Sequence, residues 1–129
     1  MPLLTDELKA RLPELYSQEH TTDPTVQVLI LGVNGWMWAL TEHSDEAPDG
    51  TPNLAFGKVY GDCPERGYVS MDELDELAER GLVWCDDGFV PRPLSEIDAT
   101  TQIVLAEAAM RAAREGRIPL TDLLPAETT

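Results

Sequence analysis

The residues of this chain that could do chemistry are mainly carboxylates, and five of them crowd into one short segment. In a helix, spacings of three and four would place four of them along one face, the acidic stripe of Asp72, Asp75, Glu76 and Glu79. Like charges at these spacings destabilise an isolated helix by roughly a few tenths of a kcal/mol per pair. The stripe is therefore either a solvated face or a docking surface for Arg and Lys side chains, and both interpretations stay open. As a docking surface it could imitate the phosphates of a duplex.

A second acidic group lies in the segment 43–52, where the carboxylates are those of Asp45, Glu46 and Asp49. The segment has some features of a calcium loop, but it lacks the alternating ligands and the closing glutamate of an EF-hand. A solvated acidic loop is the simpler interpretation. If the protein binds a basic partner, these three carboxylates and the acidic stripe are the expected contact residues. We expect no metal and no other cofactor.

The only imidazoles, His20 and His43, each follow a glutamate. A metal site that joins them with Asp45 or Cys63 is conceivable, but the spacing matches no known ligand pattern. The pattern favours two exposed histidines. Cys63 and Cys85 have no histidine nearby in sequence, so a cysteine nucleophile is not indicated and both are expected to be reduced thiols. The sequence therefore predicts no catalytic residue.

The composition limits the partners that these residues can meet. The 129 residues include 24 acidic and 9 basic side chains, which give a formal net charge of -15 and a pI near 4.2. Nucleic acid and anionic membranes would repel such a chain, so the expected partner is a basic protein surface, as on a nucleic-acid-binding protein. The first residues lack the features of a signal peptide, and no apolar run is long enough to span a bilayer. These two features predict a cytoplasmic protein.

Two helices are predicted in the first 81 residues. One extends from Thr5, which can cap it, to Tyr16, although Pro13 removes a donor and can end it early. The other begins after Ser70 and extends to about Arg80. Ser70 and Glu73 form a capping box for this short acidic helix, and Gly81 is a typical residue after a helix end.

The strongest local pattern is a hairpin around Asn34-Gly35. These two residues suit a tight turn with positive φ angles, and β-rich runs lie on both sides. A two-residue turn pairs Leu31 with Trp38 and places Trp36 on the same face, whereas a longer turn that begins at Gly32 would change this register. Both faces are apolar, which is typical of central strands covered on two sides. The tryptophans are thus either core residues or an exposed aromatic platform.

Two further strands are predicted at 54–60 and 67–70. Gly57 in the first of them indicates a bulge or a close contact with a large neighbour such as a tryptophan. An Asp87-Gly88 turn within 82–90 predicts a small hairpin. The expected fold class is α+β, an antiparallel sheet of about four to five strands with an N-terminal helix, a short acidic helix and a long C-terminal helix.

The longest predicted helix extends from Ala99 to Glu115, with Asp98 as its cap and Gly116 after its end. It is apolar over most of its circumference, so it should be buried on several sides, which a small domain rarely achieves alone. A dimer could supply the missing cover through Ile103, Val104 and Met110. The chain thus divides into an acidic domain, 1–97, and a helical extension, 98–129. The acidic domain has 19 acidic and 6 basic residues, whereas the extension has 5 acidic and 3 basic residues. The extension is expected to pack on the domain or on a second subunit.

Several short segments between Leu3 and Ile97 occur in an order that resembles a known family. They include Leu3-Leu4-Thr5-Asp6-Glu7-Leu8, Trp36-Met37-Trp38, Phe56-Gly57, Gly67-Tyr68-Val69-Ser70 and Pro91-Arg92-Pro93-Leu94-Ser95-Glu96-Ile97. As a set they resemble domain of unknown function 2958, over about three quarters of the chain. The resemblance implies a small protein carried by bacterial plasmids, phages and other mobile elements, and it implies no particular activity. The alanine-rich helix after Ile97 departs from the family pattern.

The sequence leads to three functional hypotheses. The first is a non-enzymatic acidic binding protein of a phage or mobile element, which occupies a basic, nucleic-acid-binding surface of a host defence protein such as a CRISPR or restriction component. The alternative is a structural or assembly protein that forms a homodimer through the C-terminal helix. The third is a small metal-dependent or hydrolytic enzyme that uses the histidines and carboxylates.

Overall fold

The fold is α+β, as predicted, in a computed structural model that describes residues 2–116. The helices are α1 (Asp6–Arg11), α2 (Met71–Glu79), α3 (Leu94–Ala99) and α4 (Thr101–Arg114). The strands are β1 (Thr25–Val26), β2 (Val28–Gly32), β3 (Met37–Glu46), β4 (Pro52–Tyr60), β5 (Glu65–Ser70), β6 (Val83–Cys85) and β7 (Arg92–Pro93). Residues 117–129 of the predicted helical extension lie outside the described part of the chain.

Five strands form one antiparallel sheet in the order β5-β4-β3-β2-β6, and β1 pairs separately with β7. Every residue of β2 is buried, as expected for a central strand covered on both faces. One face of the sheet, which includes Leu29 and Leu31, packs against α3 and α4. The opposite face, which includes Val28 and Ile30, packs against α2 and the N-terminal segment. The sheet thus separates two groups of helices, and with them two surfaces of the molecule.

The turn between β2 and β3 is longer than predicted, and the predicted register is wrong. The amide of Gly32 donates to the carbonyl of Trp36 at 2.8 Å, so three residues form the connection. Gly35 adopts a φ of 85°, the left-handed conformation that such a connection requires. Trp38 consequently pairs with Ile30 rather than with the leucine that follows. Because side chains alternate along a strand, this shift of one residue exchanges the faces of one strand relative to the other.

A β-bulge interrupts β3 at Thr41. This residue is the extra one, because its two neighbours pair with Gly57 and Phe56, which are consecutive in β4. A Cβ atom at Gly57 would collide with the carbonyl oxygen of Ala39. Gly57 indicated a bulge in its own strand or a close contact with a large neighbour. The bulge lies opposite it, in β3, and its close neighbour is backbone and not a tryptophan. A bulge re-aims the side chains beside it, and the residue that follows Thr41 is Glu42.

The first helix is shorter than predicted. The hydroxyl of Thr5 accepts a hydrogen bond from the amide of Leu8 at 3.2 Å, which confirms the predicted cap. The helix ends at Arg11, and Leu12 has an extended backbone. A residue before proline avoids the helical conformation, so Pro13 ends the helix early. The chain then reaches β1 through a loop, 12–24, which carries part of the candidate site.

The second helix lies close to its predicted bounds. The hydroxyl of Ser70 accepts from the amide of Glu73 at 3.3 Å, and Gly81 follows the helix with a φ of 74°. The hairpin predicted within 82–90 is wrong, since β6 pairs with β2 and Phe89 lies in the core outside any strand. The open edge of the buried strand β2 offers more apolar contact to β6 than the short Phe89-Val90 run does.

The long helix predicted from residue 99 to 115 is confirmed as α4, which begins at Thr101 and ends at Arg114, and Gly116 follows it with a φ of 74°. The helical backbone breaks at Thr100, which has a φ of -128° and separates α4 from the unpredicted helix α3. The break allows α3 and α4 each to turn an apolar side to the same sheet face. Asp98 caps neither helix, contrary to the prediction, because its carboxylate accepts hydrogen bonds from Lys58 at 2.7 Å and Tyr60 at 2.6 Å. Within this chain, α4 is buried along one side, through Val104, Leu105, Ala108, Ala109 and Ala112.

Candidate functional site

The outer side of α2 presents exposed carboxylates, as predicted for an acidic face. The exposed α2 carboxylates are Asp72, Glu73, Glu76 and Glu79. None of them forms an ion pair with another residue of the described chain. Asp75 differs from the rest of the predicted stripe, because it is half-buried and accepts a hydrogen bond from the amide of Leu3 at 2.8 Å. Its role is to fix the N-terminal segment.

The loop carboxylates lie at the same end of the sheet as the start of α2. Asp45 accepts a hydrogen bond from Lys9 at 2.9 Å, which lowers the pKa of Asp45. Hydrogen bonding to Asp45 also raises the pKa of Lys9, with a further contribution from Asp75. Asp49 accepts from the amide of Thr51 at 3.0 Å and closes its own turn. Glu46 is exposed. Several of the predicted contact residues therefore have local structural roles.

His43 is buried rather than exposed, which corrects one prediction, whereas His20 is exposed as predicted. Nε2 of His43 lies 2.7 Å from Oδ1 of Asn53, whose side-chain amide donates to Asp72 at 2.9 Å. A carboxylate only accepts hydrogen bonds, so the amide nitrogen of Asn53 must face Asp72 and its oxygen must face the imidazole. His43 Nε2 therefore carries a proton. This chain of hydrogen bonds ties β3 and β4 to the start of α2.

A recess that the sequence did not indicate lies between the loop 12–24 and the strands β3, β4 and β5. Its volume is about 270 Å³. Tyr16, Phe56 and Tyr68 form aromatic walls, with Glu42 and Arg66 also in the lining. The ring centroids of Phe56 and Tyr68 are 5.0 Å apart, and those of Tyr16 and Tyr68 are 6.2 Å apart, both nearly edge-to-face. We call this site the aromatic recess.

Glu42 holds the loop that completes the aromatic recess. One carboxylate oxygen accepts from the amide of Tyr16 at 3.1 Å and the other from the amide of Gln18 at 2.6 Å. The side chain is almost fully buried, and it forms no ion pair within residues 2–116. Tyr16 adopts a φ of 71°, which is uncommon for a residue with a Cβ atom. The two amide bonds to Glu42 stabilise this unfavourable conformation.

Two glutamates of the aromatic recess act on Tyr68. The pKa of Tyr68 is raised, first by burial, then by the neighbouring phenol of Tyr16, and further by the charges of Glu42 and Glu19. Arg66 brings a positive charge to the lining. The same guanidinium also acts on carboxylates next to the recess, where it helps to lower the pKa of Asp23.

A cluster of charged and polar side chains joins β4 to α3 on the same sheet face. Burial alone would raise the pKa of Asp98, but the hydrogen bonds from Lys58 and Tyr60 outweigh it, so this pKa lies below its usual range. Burial, followed by the hydrogen bond to Asp98, raises the pKa of Tyr60. The cluster orients α3 on the sheet and therefore has a structural role.

The two tryptophans are half-buried and close to each other. Their ring centroids are 6.0 Å apart. The ring of Trp36 covers Gly61, where a Cβ atom would lie about 2.7 Å from the indole. Trp38 packs beside the core cluster on the α2 side of the sheet. Both side chains therefore pack within the fold and do not form a flat exposed platform.

The residues predicted for dimerisation lie on different sides of α4. Ile103 and Met110 are 58% and 51% exposed, whereas Val104 is 2% exposed and packs in the core. Val104 is thus a core residue of its own chain in this structure. Ile103 and Met110 stand seven residues apart, so they lie near one another on one side of the helix.

Comparison with protein-family models, curated proteins and solved structures found no significant match to this chain. The resemblance of residues 3–97 to domain of unknown function 2958 therefore stays a prediction. Across residues 2–116, no helix has the length and apolar character that crossing a membrane requires. In the same part of the chain, no three His, Cys, Asp or Glu side chains are arranged to hold a metal ion.

Proposed function

We propose that this protein is a non-enzymatic acidic binding protein of a phage or other mobile element. It occupies a basic, nucleic-acid-binding surface of a host defence protein such as a CRISPR or restriction component. The observation that carries the proposal is the set of exposed α2 carboxylates, which no cation of the described chain compensates. A row of unpaired negative charges on a rigid helix suits a surface that normally holds phosphates.

The distribution of the basic side chains supports this proposal. Ion pairs engage Lys9, Arg11, Lys58 and Arg111, so four of the eight basic side chains within residues 2–116 are already paired inside the chain. Solubility alone calls for a net charge of magnitude roughly 2 to 8 in a small domain. The net charge of -15 is well beyond that range. Selection for a basic partner accounts for the excess, whereas selection for solubility does not.

Affinity capture tests the proposal. The tagged protein should retain a basic, nucleic-acid-binding protein from a bacterial lysate at low salt and release it at raised salt, because the contact is electrostatic. Duplex DNA added to the purified pair should compete for the same surface. Capture that is insensitive to salt, or a partner that binds DNA and this protein simultaneously, would contradict the proposal.

Two variants of equal charge locate the contact surface. Replacing Glu73, Glu76 and Glu79 by glutamine removes three charges from α2, and it should weaken capture strongly while the fold is retained. Replacing Glu14, Glu65 and Glu96 by glutamine removes three exposed charges elsewhere, and capture should persist. Equal loss in both variants would mean that only total charge matters and that α2 is not the contact surface.

A second candidate function is a homodimer formed through α4, favoured by the exposed pair Ile103 and Met110. Stable interfaces bury about 1,200 to 2,000 Å² in total, which two side chains cannot provide, so this candidate ranks lower. Light scattering at tens of micromolar decides it. A dimer that Ile103→Lys dissociates, and that the neighbouring exposed change Gln102→Lys leaves intact, would favour assembly over the acidic-binding function.

A further inference from the structure

The aromatic recess carries features that folding alone does not require. Tyr16 and Tyr68 leave 38% and 54% of their surface exposed, although both are large aromatic side chains. A left-handed backbone at a residue with a Cβ atom costs roughly 1–2 kcal/mol, and Tyr16 adopts it. A strained residue that keeps its ring partly in solvent contributes little to the core. Such strain is typical of sites that hold a side chain ready for a ligand.

The charge of the site selects a cation. Glu42 lies beneath the aromatic walls as a buried carboxylate whose amide bonds do not neutralise it. Glu19 adds a second negative charge to the lining, against one positive charge from Arg66. The charge of Arg66 also acts on Asp23 and Asp98 outside the recess. A bound anion would meet the two glutamates, whereas a bound cation would be attracted both by them and by the aromatic faces.

The size and shape of the site narrow the cation further. A volume of about 270 Å³ lies just below the roughly 300–1,000 Å³ of small-molecule pockets, and it suits a single side chain. Three rings at edge-to-face angles offer flat surfaces at different orientations. A planar guanidinium stacks on such faces and gives up its hydration more readily than an ammonium does.

We infer that the aromatic recess binds the guanidinium group of one arginine side chain of a protein partner. The inference rests on the proposed function in that the partner is basic, and it adds a specific contact that is separate from the electrostatic contact at α2. Phe56 and Tyr68 point to the sheet face that carries α3 and α4, because Ala55 and Val69 beside them pack on the α2 side. The recess and the exposed α2 carboxylates therefore form two separate contact surfaces.

Titration of the isotope-labelled full chain with N-acetyl-arginine amide, followed by NMR, tests the inference. Saturable shifts are expected at the ring signals of Tyr16, Phe56 and Tyr68, with a dissociation constant in the millimolar range. The citrulline analogue has nearly the same shape without the charge, and it should produce no saturable shift. The lysine analogue should bind more weakly than the arginine compound. Absence of saturable arginine binding, or equal binding of citrulline, would overturn the inference.

Variants separate the aromatic and the electrostatic contributions. Tyr68→Leu should weaken arginine binding about tenfold, whereas Tyr68→Phe should keep it, because the ring face is what binds. Glu19→Gln should weaken binding, whereas the matched change Glu73→Gln on the opposite sheet face should have no effect. Retention of full affinity in Tyr68→Leu would refute the role of the ring. Tighter binding of free L-arginine than of the capped compound would refute a partner side chain as the occupant.

The α2 variant distinguishes failure of this inference from failure of the proposed function. With Glu73, Glu76 and Glu79 replaced by glutamine, arginine binding in the recess should be unchanged, because the recess lies on the other face. If a basic partner is captured in a salt-sensitive way but the recess binds no arginine, the inference about the recess is refuted and the proposed function is retained. If the recess binds arginine but no basic partner is captured, the proposed function is refuted and arginine binding by the recess is retained.

Discussion

Replacing Arg111 by methionine should lower the free energy of unfolding by about 3 kcal/mol. Two guanidinium nitrogens of Arg111 donate to the two carboxylate oxygens of Asp86 at 2.9 and 2.6 Å. The side chain of Asp86 is only 4% exposed, against 23% for Arg111. Hydrogen bonding to Asp86 is also the main cause of the raised pKa of Arg111. This ion pair fastens α4 to the segment that follows β6.

The magnitude follows from what the substitution leaves behind. Methionine keeps most of the apolar stem but removes both hydrogen bonds, so Asp86 keeps its buried charge with a single amide bond from Gly88 at 3.2 Å. Breaking a buried ion pair by removing one partner costs about 3–5 kcal/mol. The lower end applies because Arg111 is partly exposed and solvent screens the pair. A domain of this size has about 5–15 kcal/mol of stability, so the variant should still fold.

Urea denaturation at neutral pH measures the effect, with Arg114→Met as the control for an exposed arginine on the same helix. The control should change the free energy of unfolding by less than about 0.5 kcal/mol. In the double variant with Asp86→Asn, part of the loss should be recovered, because no unpaired charge is buried. A loss below about 0.5 kcal/mol for Arg111→Met, or strict additivity in the double variant, would refute the reasoning.

Three further effects are expected. Gly57→Ala should cost about 3 kcal/mol in urea denaturation because its Cβ atom meets the β3 backbone, while Gly67→Ala, with open space, should be nearly neutral. The lowered pKa of Asp98 means that its contribution is present above the ordinary value of 3.8 and is lost as the pH falls through the lowered value. Asp98→Asn should therefore cost up to about 1 kcal/mol at pH 6, with wild type and variant converging in acid-titration curves. Glu76→Lys should raise the free energy of unfolding by about 0.5–1 kcal/mol, a gain that added salt reduces in thermal melts.

Features determined within a few residues could be predicted from the sequence. The caps at Thr5 and Ser70 and the end of α2 before Gly81 are all confirmed. Each depends on one side chain and the backbone near it, so the local pattern contains the necessary information. The exposure of Asp72, Glu76 and Glu79 belongs to the same class, because their spacing alone places these three carboxylates of the predicted stripe on one face.

Features that depend on competition between distant segments could not be predicted. Asp98 is a good cap in isolation, yet Lys58 and Tyr60 bind its carboxylate more strongly than a helix end would. The register of the β2–β3 hairpin depends on whether its turn has two or three residues. The packing of both sheet faces favours the longer turn, which begins at Gly32. For a similar reason, β6 pairs with the edge of β2 and not with the nearby Phe89-Val90 segment.

The aromatic recess is the clearest case of information that the sequence does not display. Tyr16, Glu42, Phe56 and Tyr68 are ordinary residues at unrelated spacings. The pairing of β3, β4 and β5, together with the hydrogen bonds from the loop 12–24 to Glu42, brings them together. The one available signal was the bulge beside Gly57, since bulges re-aim neighbouring side chains. That signal indicates where side chains are re-aimed, but it does not indicate which loop will pack over them.

The sequence by itself determined the charge of this protein, its α+β class and the acidic face of its second helix, because composition and short spacings are fixed along the chain. The tertiary structure alone decided which carboxylates remain free, because Asp75 accepts a hydrogen bond from the amide of Leu3 and Asp45 accepts one from Lys9. It also decided that a buried glutamate and two exposed tyrosines share one recess. Burial and long-range hydrogen bonding depend on which segments compete successfully for the same sheet, and no local pattern contains that outcome.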